Sequence, residues 1–168
     1  MTGQHDLAAG LAGLAKQSLK LAAAYAGERK QFGQYIGQFQ GISHPLADLV
    51  CEADGGKFLV WKAIRDICDG SSEAGSAISI AAWWNAITSA RCVAQALHTF
   101  GGYGLTTEYD IHLFNLRAKA WPLVWGDPAR QPTVLLAHGW SSFGLRFLPW
   151  VEPLRRAGYA AVTFDQPA

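Results

Sequence analysis

Excess charge of either sign is nearly absent from this sequence. Fourteen Lys and Arg stand against thirteen Asp and Glu, leaving a formal net charge of +1. A nucleic-acid surface needs a basic excess on one face, so that class of partner is not expected. The same balance gives no reason to expect a polybasic membrane anchor. Cysteine is scarce, and Cys51, Cys68 and Cys92 form no CxxC pair. An odd count on helical segments reads as reduced thiols in a cytoplasmic protein, not as a disulfide framework. His5, His44, His98, His112 and His138 are scattered without ligand spacing, so no metal site is expected. Long hydrophobic runs are missing as well. Of the two longest stretches without charge, the more apolar, Ala74 to Ala90, holds three Ser, a Thr and an Asn. That suits a helix buried in protein better than a membrane span. No basic residue precedes the short apolar run at the N-terminus, so a signal peptide is not expected.

What is present is core-forming material. Half of the residues are hydrophobic and 16% are charged, enough for one ordinary domain and a little more. Seven Trp read as core and interface packing. Leu7, Leu11, Leu14, Ser18, Leu21 and Tyr25 recur at helical steps and predict a first helix over 4–27. The segment "GERKQFGQYIGQFQG" (27–41) breaks the pattern and reads as a connecting loop. A second helix is predicted over 41–69, with Ile42, Leu46, Leu49, Ala53, Lys57, Val60, Ile64 and Ile67 on one stripe. Gly55-Gly56 in its middle costs about 2 kcal/mol relative to alanine. The pair either lets a neighbour approach or marks a soft point, and the soft point is the preferred reading. Gly70 with Ser71-Ser72 ends this helix and starts a third over 73–100. That helix is small on one face (Ala74, Ala77, Ala81, Asn85, Thr88, Cys92) and bulky on the other (Ile80, Trp83, Trp84, Ile87, Leu97). It needs neighbours all round, within its own bundle or across a subunit interface. A Gly-rich loop follows. Thr107 with Asp110 suits the start of a short helix over 108–121, which Pro122 ends.

Two segments carry candidate chemistry. In "ERKQFGQYIGQFQ", Arg29 beside Gly-rich backbone suits a planar, bidentate phosphate contact, although an ordinary polar loop has the same composition. In "HTFGGYG", Gly101 and Gly102 allow close backbone approach to a ligand. The pair is not a GxGxxG motif in a strand–helix setting, so a Rossmann site is not expected.

Taken in order, "AAAYAGERKQFGQYIGQFQGISHPLADL…ALHTFGGYGLTTEYDIHLFNLRAKAW" resembles the C-terminal helical domain of the acyl-CoA dehydrogenase family, with the family's spacing kept over about 5–127. The resemblance implies an antiparallel four-helix bundle in a family that is usually tetrameric or dimeric. It implies α,β-dehydrogenation of an acyl-CoA thioester: a carboxylate removes the α proton and the β hydrogen leaves as hydride to FAD. Arg29 matches the Arg of the family's Arg-x-x-Phe-Gly motif, with Gln31 and Phe32 beside it. In the family this segment binds the FAD of a neighbouring subunit. Gln40 matches the Gln that ends the "FQ" pair. His98, Gly101 and Gly102 match Gln-x-x-Gly-Gly, with His in place of Gln. No catalytic base carries over. The family position falls at Trp125 and the alternative position near Gly3; neither residue can take a proton. Glu108 and Asp127 are the nearest carboxylates. Some relatives are heteromeric, one subunit lacking the base and a partner supplying it. The family also has an N-terminal helical domain and a middle β-domain, and neither precedes the bundle if Met1 is the true start.

The tail differs. "TVLLAHG" reads as a buried parallel strand, "FLPWVEPLRRAG" as a helix and "YAAVTFD" as a second strand. This strand–helix–strand unit resembles the beginning of an α/β-hydrolase, in which the nucleophile elbow, acid and triad His all come later. The expected organisation is a mainly α bundle over 1–127, a linker over 128–132, and a partial hydrolase-like βαβ tail over 133–168. The expected function is that of a flavin-associated acyl-CoA dehydrogenase-type oxidoreductase, incomplete or dependent on a partner. It would act on acyl-CoA as a homo-oligomer or with a dehydrogenase subunit. The alternatives are a non-catalytic helical interaction module and, remotely, the remnant of a serine hydrolase fusion.

Overall fold

Leucine and alanine, both strong helix formers, fill the first segment, and it winds as α1, Thr2–Glu28. The structure, a computed structural model, describes residues 2–125, 133–137 and 160–164, with side-chain surroundings for 6–123. The chain divides into two compact units, Met1–Trp125 and Gly126–Ala168. In the first, α1 leads into a hairpin of β1 (Lys30–Gln31) and β2 (Gln34–Tyr35) and a 3-10 turn at Ile36–Gln38. Then come α2 (Gln40–Cys68), α3 (Ala74–Phe100), a 3-10 turn at Gly101–Leu105 and α4 (Ile111–Trp125).

Side-chain clusters set the helix directions. Ala8 near the start of α1 packs with Val60 and Ala63 late in α2 and with Ala77, Ile78 and Ala81 early in α3. At the other end, Leu19 and Ala22 of α1 meet Leu46 and Leu49 of α2, Phe100 of α3 and Ile111 of α4. From there α4 returns, so that Ala118 packs with Leu14 and Val93. The helices therefore alternate in direction, with α1 and α3 as the central pair. This is the expected antiparallel four-helix bundle. Leu11 and Ile111 are fully buried, each worth about 1.5–3 kcal/mol of transfer free energy.

Several local expectations are corrected. The buried stripe of α2 runs through Leu46, Leu49, Ala53, Gly56, Val60 and Ala63, whereas Ile64 and Ile67 are exposed. Gly55-Gly56 is no soft point: α2 is continuous, and a Cβ on Gly56 would stand 2.3 Å from Asn85 Oδ1 of α3. Close helix approach explains it. Asn85 Nδ2 donates to Gly56 O at 3.1 Å and to Ala81 O at 2.8 Å, which bonds α3 to α2. Cys92 is buried there too, and burial pushes its thiol up to about 12.

Helix α2 ends in a Schellman motif, with Gly70 at φ +64, Ser71 N–H donating to Asp66 O and Gly70 N–H donating to Ile67 O. Helix α4 starts at Ile111, later than expected, and Thr106 serves the turn before it in place of Thr107. Pro122 does not end α4, which runs on to Trp125. The proline withholds only the N–H that would bond the carbonyl four residues back, and α4 continues for three residues beyond it.

In the second unit, β3 (Thr133–Ala137) and β4 (Ala160–Phe164) pair in parallel, with Thr133 opposite Ala160 and Ala137 opposite Phe164. The helix expected between them and the linker at 128–132 lie outside the described residues.

Candidate functional site

The loop after α1 is a built turn. Arg29 N–H donates to Tyr25 O at 2.9 Å and closes the helix, and Ile36 N–H donates back to Arg29 O at 2.9 Å. Between these bonds lies a two-residue hairpin, Lys30 opposite Tyr35 and Gln31 opposite Gln34. Its tip, Phe32 at φ +53 and Gly33 at φ +81, has positive φ at both central positions, as a type I′ turn requires. Gly37 lies so close to α1 that a Cβ would stand 3.0 Å from Ala26 O. The hairpin is thereby held against the end of α1.

At the same end of the bundle α3 stops at Gly101, φ +58. A cleft of about 550 Å³ opens between the two loops. Arg29 and Gln31 line it from the first loop and Gly101 and Gly102 from the second, with Tyr25, Ile36, Thr99, Phe100, Tyr103 and Thr106. Tyr25 stacks on Phe100 at 4.3 Å, and Tyr109 meets Tyr25, Phe100 and Tyr103 edge-on. The Arg29 guanidinium lies over the Tyr103 ring, 5.2 Å from its centroid. Burial raises the Tyr25 hydroxyl above its ordinary value against the opposing pull of Arg29, so the phenol stays neutral at pH 7.

The cleft brings together four of the expected site residues, Arg29, Gln31, Gly101 and Gly102. It does not include the other three. Phe32 is 93% exposed at the hairpin tip, where it touches Phe39 edge-on. Gln40 opens α2 and His98 lies in the last turn of α3, and both are exposed. The rings of Tyr25, Phe100 and Tyr103 were not assigned to a site from the sequence, where Tyr25 stood only on the stripe of the first helix. Tyr25 four residues before Arg29, on the same helical face, was the available signal.

This donor set fits the FAD that the resemblance implies. Arg29 offers a planar cation for a phosphate. No heavy atom lies within 4 Å of a Cβ built on Gly101 or Gly102, so backbone there is open to a ligand. Of the three rings, Tyr103 is exposed beside Arg29, whereas Phe100 is buried and stacked on Tyr25. Of the carboxylates near the expected base position, Glu108 is exposed with its N–H on Thr106 Oγ1, and Asp127 lies outside the described residues. Trp125 closes α4, and Gly3 lies in the first turn of α1. Among the described residues no three His, Cys, Asp or Glu cluster as metal ligands, and no helix is long and apolar enough to cross a membrane.

Residues 4–135 match the family model described as acyl-CoA dehydrogenase, C-terminal domain. The chain is 39% identical to acyl-CoA dehydrogenase FadE34 of Mycobacterium tuberculosis (strain ATCC 25618 / H37Rv), over 67% of this chain and 16% of that protein. The butyryl-CoA dehydrogenase structure from Megasphaera elsdenii superposes with a TM-score of 0.68 at 30% identity, covering 71% of this chain and 31% of that one. The ChsE4-ChsE5 complex from Mycobacterium tuberculosis superposes with a TM-score of 0.69 at 27% identity, covering 74% and 34%. This chain thus spans about a third or less of the length of these curated relatives.

Proposed function

Because this chain belongs to the acyl-CoA dehydrogenase family through its C-terminal domain, we propose that it supplies the helical bundle and one wall of an FAD site to an acyl-CoA-oxidising flavoprotein. The observation that carries this reading is the convergence of Arg29 and Gln31 with Gly101 and Gly102, some seventy residues apart in sequence, on one cleft. Arg29 would hold the pyrophosphate, and Gln31 and the open Gly101-Gly102 backbone would meet the adenosine part. Phe32, Gln40 and His98, outside this cleft, would contact the cofactor or its host only across an assembly. Bound FAD supplies the hydride acceptor for the acyl thioester. This chain's part is to bind and orient. We assign it no catalytic base, since indole at Trp125 cannot accept the α proton.

The substrate would be an acyl-CoA, and the assembly a homo-oligomer or a pairing with a second dehydrogenase subunit; the ChsE4-ChsE5 complex among its structural neighbours supports the latter form. A cytoplasmic location accords with the cysteines, of which none is in a disulfide among the described residues. The parallel pairing of β3 with β4 supports reading 133–168 as a hydrolase-like unit distinct from the bundle over 1–127. A second reading, a helical interaction module without flavin, is favoured by one feature, the exposed Ile80, Trp83 and Ile87 on α3.

FAD titration of the purified chain, followed by visible absorbance and flavin fluorescence, tests the first reading. The wild type is expected to bind, and Arg29→Gln to bind at least about tenfold more weakly, as loss of a charge-assisted phosphate bond requires. Equal binding by both would refute it, and a flavin-free oligomer at every FAD concentration would favour the second reading.

A further inference from the structure

A second and larger cleft, about 650 Å³, runs between α1 and α2 and shares no lining residue with the cleft at Arg29. Its α1 wall is low, because Ala9, Ala12 and Gly13 stand there and a Cβ on Gly13 would meet nothing within 4 Å. Its α2 wall is tall and apolar: Val50 is 48% exposed, Trp61 57% and Ile64 44%. Continuous apolar surface of this kind marks a binding face. The lining on α1 extends from Ala9 to Ala23. At about 1.5 Å per residue that is about 21 Å, the length of a helix of about four turns laid along the groove.

Charge narrows the occupant. Lys16, Lys20 and Lys57 edge the groove against a single carboxylate, Asp54. Lys57 Nζ lies 2.9 Å from Asp54 Oδ1, and its hydrogen bond and charge, with the charge of Lys16, hold that carboxyl below its ordinary value. Asp54 is thus already engaged, and the net field over the groove is positive. A second copy of this chain offers a poor complement. Its exposed apolar stripe, Ile80, Trp83 and Ile87, lies on α3, which contains no Asp or Glu, and α4 contains none either.

The geometry points to a docking groove for an amphipathic helix of a different polypeptide, its apolar face against Val50, Trp61 and Ile64 and its acidic flanks beside Lys16 and Lys20. The small α1 wall lets that helix approach closely, and the lysines set its identity and orientation.

Two labelled peptides of about four helical turns test this. They share one Leu/Ala stripe and differ only in carrying Glu or Lys on the flanks. Titrated into the full chain, the Glu peptide is expected to bind at least about tenfold more tightly, less so at high salt. Amide shifts should concentrate at residues 9–23 and 50–64. The double variant Lys16→Glu/Lys20→Glu changes two exposed side chains, and it should invert the preference with helical circular dichroism unchanged. If that variant loses its helical signal, Val50→Asp takes its place and should weaken the Glu peptide at least about tenfold. Equal affinity for the two peptides, a preference that survives charge reversal, in the replacement a Glu-peptide affinity unchanged by Val50→Asp, or shifts elsewhere on the bundle would overturn the proposal. So would self-association that competes with the peptide and vanishes in Lys16→Glu/Lys20→Glu, because it would assign the groove to a second copy.

Discussion

At position 56 a hydrogen atom in place of a methyl group sets how closely α2 and α3 pack. A Cβ there would fall 2.3 Å from Asn85 Oδ1 and 3.2 Å from Trp84 Cδ1, whereas one on Gly55 would meet Trp84 at an ordinary 3.9 Å. The neighbouring glycines therefore part company on substitution. Gly56→Ala must displace a buried amide that holds two carbonyls, and it is expected to destabilise by about 1–3 kcal/mol. Gly55→Ala gains helix propensity without a clash and is expected to be neutral or stabilising by up to about 1 kcal/mol. Urea denaturation of the two variants decides the matter; equal losses would mean that Gly55-Gly56 acts as a unit. The sequence displayed the glycine pair but not the reason for it, because Asn85 lies twenty-nine residues beyond Gly56 and only the packed helices bring them together.

Among the elements, the helices were legible and the hairpin was not. Leucine at steps of three and four marked the core face of α1, and Gly70 marked the end of α2 through its positive φ. The strands β1 and β2 have two residues each, all exposed, so no apolar alternation could announce them. Their turn is also unusual in chemistry. A type I′ tip favours Asn-Gly, and here Phe32 takes the first left-handed position with its ring in solvent. Strain kept for an exposed aromatic suggests that the ring is used in contacts beyond the bundle. Phe32→Asn is accordingly expected to raise the thermal midpoint slightly, by about 0.5–1 kcal/mol of turn strain relieved. The same change should weaken FAD retention or assembly, read by flavin fluorescence and sedimentation. A lower midpoint would mean that the Phe32–Phe39 contact, 6.2 Å between centroids, outweighs the strain.

For the molecule as a whole, Arg29, Gln31, Gly101 and Gly102 line one cleft, whereas His98, Gln40 and Phe32 do not join them. A side chain that reaches a ligand across an assembly leaves no mark on the packing of one chain. The apolar circumference of α3 raises the same issue. Its small face, Ala77, Ala81, Asn85, Thr88 and Cys92, is buried within the bundle, while Ile80, Trp83 and Ile87 stay open, Trp83 at 61%. Composition showed that α3 needs partners on every side; only the fold shows which side is left over. An exposed apolar stripe without charge of its own favours association. The wild-type chain is therefore expected to sediment as an oligomer whose size grows with concentration. Trp83→Glu/Ile87→Glu places two charges on that stripe without touching the buried face, so it should shift the chain to monomer with its helical signal intact. A wild type that is already monomeric would assign the stripe to contacts with another polypeptide, and an oligomer indifferent to both charges would move the interface to a different face of the bundle.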